Sequence, residues 1–116
     1  RSMCKLCSED YPISRNDIKE SLKGFLHAIV NQFSIDKVIL FGSYARGDFH
    51  ENSDIDLIIV GIFKERFFDR IGKILDLVPN DLNIEPFVYT KEEFEKMREN
   101  GNPFIITAVS EGVQLI

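Results

Sequence analysis

Val38-Ile39-Leu40-Phe41-Gly42-Ser43-Tyr44-Ala45-Arg46-Gly47, followed at a short distance by Ser53-Asp54-Ile55-Asp56-Leu57-Ile58-Ile59-Val60, decides how this chain is read. The run 38–41 is short, apolar and β-branched at its start, so it reads as a buried strand. Gly42 stops it. Ser43 stands where a helix N-cap stands, and Tyr44, Ala45 and Arg46 can form a single helical turn. Gly47 can end that turn in a left-handed conformation. A polar loop then leads to a second strand beginning at Asp54.

Side chains alternate across a strand, so Asp54 and Asp56 point to one face. Two carboxylates about 5 Å apart repel by roughly 3 kcal/mol at an effective dielectric of about 20. A divalent cation is the economical reason to hold such a pair at the start of a buried strand. Mg²⁺ takes oxygen ligands and leaves positions for substrate phosphates. The glycine-serine turn complements it, because backbone N–H groups at a helix start hold anionic phosphate. Together these features point to phosphoryl or nucleotidyl transfer. A solvated strand start with Arg46 as charge partner is the plainer alternative.

Gly42-Ser43, ten residues, then Asp54-Ile55-Asp56 resembles the signature of the DNA polymerase β-like nucleotidyltransferase superfamily. The longer string Gly-Ser-Tyr-Ala-Arg-Gly…Ser-Asp-Ile-Asp-Leu is similar to that of the minimal nucleotidyltransferases, and the resemblance extends more loosely from about Ile18 to Ile116. It implies an α/β (α+β) fold, a small mixed sheet flanked by helices. It implies a third acidic residue on a neighbouring strand, for which Glu85 fits in order and context; the family more often has Asp there. It further implies two Mg²⁺ ions held by Asp54, Asp56 and Glu85, with these three residues catalytic and Glu85 placed to take a proton from the acceptor hydroxyl. ATP is the implied donor, with Gly42 and Ser43 on its β- and γ-phosphates and Arg46 adding charge for the leaving group. An ion pair on a helix surface is the alternative role for Arg46.

Larger relatives add a domain that binds the acceptor. A chain of 116 residues would leave that surface to another protein. The family implication is AMP transfer to a hydroxyl of a partner, typically a helical HEPN-type toxin, with the chain as its antitoxin. A contact inhibitor that does no chemistry and a subunit modifying small molecules such as aminoglycosides are the competing readings.

Composition fits one domain. Apolar residues make up 44% of the chain, and ten phenylalanines with no tryptophan predict a Phe-rich core. Fourteen basic against nineteen acidic side chains give a net charge of −5, which argues against a broad nucleic-acid footprint. No stretch is long and apolar enough to span a membrane and no signal peptide is visible, so a cytoplasmic location is expected. Cys4 and Cys7 have Cys-x-x-Cys spacing, but His27 and His50 are too far apart to complete a compact zinc site. Residues 1–13 read as a tail, with Arg1-Ser2 a cloning remnant, and 14–116 as the domain.

In chain order, a helix is predicted from Ser14 to about Phe33, with Ile18, Leu22, Phe25, Leu26, Ile29, Val30 and Phe33 as its stripe. Strands are expected at 37–41 and 54–60, the second ended by Gly61 and apolar on both faces beyond the aspartates, which layers on both sides or deep central burial would explain. A second helix, about 64–77, would bury Phe67, Phe68, Ile71, Ile74, Leu75 and Val78. The strand 82–89 contains Pro86, which removes a ladder donor, so it should be an edge strand or locally irregular. Thr90 and Glu93 form a capping box for a helix over 91–99. Asn102-Pro103 starts a last helix facing Phe104, Ile105, Ala108 and Val109 inward, and 113–116 is a short final strand.

Overall fold

A computed structural model describes residues 16–42, 45 and 54–116. Its elements follow in order as α1 (Asn16–Gln32), β1 (Ser34–Phe41), β2 (Ile55–Ile62), α2 (Phe67–Leu75), β3 (Ile84–Thr90), α3 (Lys91–Glu99), α4 (Pro103–Glu111) and β4 (Val113–Gln114). The strands form one four-stranded sheet in the order β3-β2-β1-β4. β1 runs antiparallel to both β2 and β4, and β2 runs parallel to β3. The sheet is therefore mixed, and β3 lies at an edge, where Pro86 loses no central ladder bond.

Two apolar layers explain why both faces of β2 are hydrophobic. On one side Leu22, Phe25, Leu26 and Ile29 of α1 and Ile74 of α2 pack on Val38, Leu40, Ile55, Leu57, Ile59 and Val88. On the other, Phe94 of α3 and Ile105 and Ala108 of α4 pack on Ile39, Ile58 and Val60. Phe41, Phe87, Tyr89, Met97 and Phe104 border this second cluster. The ends of α3 and α4 follow from local chemistry. Thr90 Oγ1 accepts from Glu93 N–H, and Glu93 Oε1 accepts from Thr90 N–H, the expected capping box. Asn102 Oδ1 accepts from the N–H groups of Phe104 and Ile105, with Pro103 at the first helical position.

Several boundaries differ from expectation. β1 begins at Ser34, because Ser34 and Ile35 pair with Ile62 and Gly61 across a bulge at Asp36. Gly61 continues β2 instead of ending it: a Cβ there would sit 2.5 Å from Ser34 O, so only glycine lets the backbones approach. β2 starts at Ile55, one residue after Asp54. Val30 is exposed, since it lies about 80° from the centre of the α1 stripe at 100° per residue. Val109 of α4 is exposed as well, one position past the buried Ala108.

The largest correction is α2. It spans only nine residues, and Phe67, Phe68 and Leu75 face outward, Phe68 with 82% of its surface exposed. The buried face is set by Arg70, which is only 5% exposed. Arg70 Nη1 donates to Glu93 Oε1 at 2.7 Å, and its guanidinium lies 5.7 Å from the Phe63 ring centroid and 5.6 Å from that of Phe67. Phe68 and Leu75 lie about 100° round the helix from the side that carries Arg70, Ile71 and Ile74, whereas Phe67 is on that side but at the helix start, exposed, with its ring against the Arg70 guanidinium. Gly24, in α1, has nothing within 4 Å of an added Cβ, so it serves no close packing. Ser14, the proposed cap of α1, lies outside the described residues.

Candidate functional site

Strand register brings the predicted residues together on the face covered by α3 and α4. Asp56 of β2 pairs with Glu85 of β3 on one side and with Phe41 of β1 on the other. In a sheet, paired residues project to the same face from strands about 4.8 Å apart. Phe41, Asp56 and Glu85 thus form a row across three strands. Ile58 and Phe87 stand one step further in, and Asp54 lies just before β2, on the solvent side of the row. Exposure grades along this line. Ile58 is buried, Asp56 is half-buried, and Asp54 and Glu85 are exposed.

The glycine turn is locked to this row. Gly42 has φ of +77°, which carries the chain off the end of β1 in a conformation that favours glycine. A Cβ built on Gly42 would run into Asp56 Oδ2. The carboxylate therefore rests against the bare α-carbon of the turn, in the space a side chain would take. Ala45 N–H donates to Gly42 O at 3.1 Å, so the chain tightens immediately after the glycine. Ser43 and Arg46 lie outside the described residues, as do Cys4, Cys7 and His50. His27 is exposed on α1.

Carboxylate oxygens are the donors that a hard cation such as Mg²⁺ prefers, and Asp56 and Glu85 are already neighbours. Among the described residues, however, no group of three or more His, Cys, Asp or Glu is gathered tightly enough to hold a metal ion. The donor set suits the metal. Drawing the oxygens together requires rotation of Asp54 and Glu85, both exposed and free of core packing. Exposed side chains make such rotations on the picosecond to nanosecond scale.

Beneath the carboxylates is an aromatic triangle that sequence reasoning missed. The ring centroids of Phe41 and Phe87 are 5.6 Å apart, those of Phe41 and Phe104 5.4 Å, and those of Phe87 and Phe104 5.0 Å. Phe87 could have been linked to the row by its alternation with Glu85 along one strand, whereas Phe41 joins it only through its pairing with Asp56. Phe104 arrives from a helix seventeen residues further along, and no local signal in the sequence ties it to them. The second missed feature is the Arg70–Glu93 pair. Its only trace is an arginine at helical spacing inside an apolar stripe. Burial disfavours the charge on Glu93, but hydrogen bonds from Arg70 and the Thr90 backbone outweigh it and hold the carboxyl below its ordinary range. Burial also pushes the phenol of nearby Tyr89 above its ordinary value, with the charge of Glu93 adding to the effect.

Comparison with known proteins agrees with this architecture. The family described as "Nucleotidyltransferase domain" matches residues 22–116. The chain is 39% identical over 83 residues to the Methanocaldococcus jannaschii protein named "Putative protein adenylyltransferase MJ0141", covering 65% of this chain and 82% of that one. A second protein of that organism, "Putative protein adenylyltransferase MJ1379", is 27% identical over 96 residues, covering 83% and 91%. A third, "Putative protein adenylyltransferase MJ0604", is 51% identical over 45 residues, which span 37% of this chain and less than half, 45%, of its own length. A solved structure titled as a "putative nucleotidyltransferase" from Sulfolobus solfataricus superposes with a TM-score of 0.52 at 24% identity. It covers 72% of this chain and 82% of that one, a likeness of fold.

Proposed function

The chain belongs to the nucleotidyltransferase domain family, and from that premise we propose that it moves AMP from ATP onto a hydroxyl of a partner protein. Nucleotidyl transfer is the chemistry of its family. The donor, the acceptor and the roles of individual residues are our reading. The observation that carries it is the contact between the Gly42 α-carbon and Asp56 Oδ2, in register with Glu85. It sets the Gly42 turn, which in this reading binds phosphate, against a carboxylate row with no side chain of Gly42 between them.

In this reading the N–H groups of the Gly42-Ser43 turn bind the β- and γ-phosphates, and Arg46 adds positive charge there. Asp54, Asp56 and Glu85 would hold two Mg²⁺ ions, which when bound neutralise phosphate charge and acidify the acceptor hydroxyl. Glu85, exposed at the sheet edge, takes the proton from that hydroxyl. The acceptor oxygen forms a bond to the α-phosphorus in line with the bond to the bridging oxygen. That second bond breaks and pyrophosphate leaves with its electron pair. The names of the relatives support a protein acceptor and an adenylyl group.

A helical toxin of the HEPN type is the partner we propose, with the reaction in the cytoplasm where nucleoside triphosphates are made. No helix among the described residues is long and apolar enough to cross a membrane. The outward Phe67-Phe68 pair, with centroids 5.3 Å apart, favours a contact contribution to any such complex. The test is label transfer from α-phosphate-labelled NTPs in Mg²⁺ to the neighbouring-gene protein or source lysate. Label on a protein from ATP, absent with Asp54→Asn/Asp56→Asn, supports the reading. A stable complex with no label from any NTP overturns it in favour of inhibition by contact.

A further inference from the structure

We propose that the cleft between the end of β1 and α4 receives the nucleoside of the donor triphosphate, with Phe104 and Phe41 as its aromatic wall. This deepens the nucleotidyl-transfer reading and rests on it. The cleft has a volume of about 420 Å³ and is lined by Phe41, Gly42, Pro103, Phe104, Thr107 and Glu111 among others. Small-molecule sites run from roughly 300 to 1,000 Å³ and are mainly apolar with a few polar groups. Among its described lining residues, Thr107 and Glu111 are the ones with polar side chains.

Continuity with the phosphate turn is the central argument. Gly42 is at once the residue against which Asp56 rests and part of the cleft wall. A triphosphate bound at its backbone carries its sugar and base into adjoining space. On this side of the sheet that space is the cleft. Phe41, directly across from Asp56 in register, is the shared wall between carboxylates and cleft. A second cleft of about 360 Å³, lined by Phe67, Tyr89, Glu93, Lys96, Met97 and Asn100, does not include Gly42. Its Tyr89 lies four residues beyond Glu85, about 13 Å along the strand. It is poorly placed for a donor whose phosphates sit on the turn.

The aromatic triangle gives the chemistry. Ile105 and Ala108 are the residues of α4 that fill the core, and Phe104 is left half-buried with its ring against Phe41 and Phe87. A preassembled aromatic surface beside a phosphate site suits a nucleobase, since stacking needs only a π-face and tolerates different bases. Thr107, exposed one turn further along α4, offers a hydroxyl that donates or accepts.

The experiment is calorimetric titration in Mg²⁺ of wild type, Phe104→Ala and Thr107→Trp with ATP and, separately, with inorganic tripolyphosphate. Thr107→Trp fills the cleft from an exposed position and leaves the aromatic triangle intact, so the test survives a folding defect in Phe104→Ala. We expect wild type to bind ATP more tightly than tripolyphosphate. Each folded variant should lose about tenfold or more in ATP affinity with tripolyphosphate affinity unchanged. Variants that bind ATP as wild type does overturn the nucleoside cleft while the nucleotidyl-transfer reading stands. Variants that lose both ligands equally also overturn it, because the loss is then not at the nucleoside. Wild type binding neither ligand removes the parent reading and the cleft with it.

Discussion

Replacing Gly42 by alanine probes the joint on which the site depends. With φ at +77°, any residue bearing a Cβ pays about 1–2 kcal/mol for the left-handed conformation. The new methyl would also collide with Asp56 Oδ2. Asp56 lies between Phe41 and Glu85 in register, so its carboxylate yields by turning off its rotamer, at about 0.5–1.5 kcal/mol. Gly101 is a built-in control, with φ of +72° and nothing within 4 Å of an added Cβ. Gly101→Ala should therefore lose only the conformational part, about 1–2 kcal/mol in a urea melt. Gly42→Ala should lose about 1.5–3.5 kcal/mol, adding the displaced carboxylate. In label transfer below the melting range, Gly101→Ala should stay within about twofold of wild type, whereas Gly42→Ala should fall about a hundredfold, the loss expected when a reacting group moves by about 1 Å. Equal transfer by the two folded variants would refute the claim that the bare turn holds Asp56 in place.

Three further outcomes follow from the packing. Gly24 sits mid-helix in open space, so Gly24→Ala should stabilise the chain by about 0.5–1 kcal/mol in denaturant, and a loss of stability would mean the site is not open. Phe68→Ser should change stability by no more than about 0.5 kcal/mol, whereas Ile74→Ala should cost about 2–5 kcal/mol; comparable losses would restore Phe68 to the core. Glu93→Gln should destabilise at neutral pH, since it weakens both the bond its carboxylate accepts from Thr90 N–H and the partner of buried Arg70. Because the folded-state pKa of Glu93 is depressed, its contribution is present above the unfolded value of about 4.3 and is lost as pH falls through the folded value. Melts of wild type and variant should converge in acid, and a gap independent of pH would contradict the assignment.

How much of this was legible in the sequence depends on how far each feature reaches along the chain. The capping box at Thr90 and Glu93 and the asparagine cap before Pro103 are written within three residues, and both stand as read. The two apolar faces along 54–60 pointed to covering layers or deep central burial, and the fold supplies a layer on each side. Pro86 pointed to an edge or a local irregularity, and its strand lies at the edge. What failed was the reading of residues whose burial is decided by a distant partner. Phe68 and Leu75 sit at the margin of the same stripe as Ile71 and Ile74. The buried place beside Ile74 went to Arg70, which Glu93 holds from 23 residues away. Gly61 likewise looked like a stop, and became a strand residue only because Ser34 needed its missing side chain.

The candidate site divides along the same line. Asp54 and Asp56 could be named from local spacing and Glu85 only from the family resemblance, and the adjacency of Asp56 and Glu85 is a property of the parallel pairing of β2 with β3. That pairing forms only after α2 has carried the chain back to the start of the sheet. A slip of one residue in that register would send Glu85 to the opposite face while leaving Asp56 where it is. The register is held by the burial of Val88 against Leu57 and Ile59, on the face away from the carboxylates. The apolar core beneath α1 and α2 thus fixes the position of Glu85, although it touches no substrate. Mutations in that core that loosen β3 are therefore expected to act on chemistry before they act on global unfolding, because an edge strand is bonded on one side only.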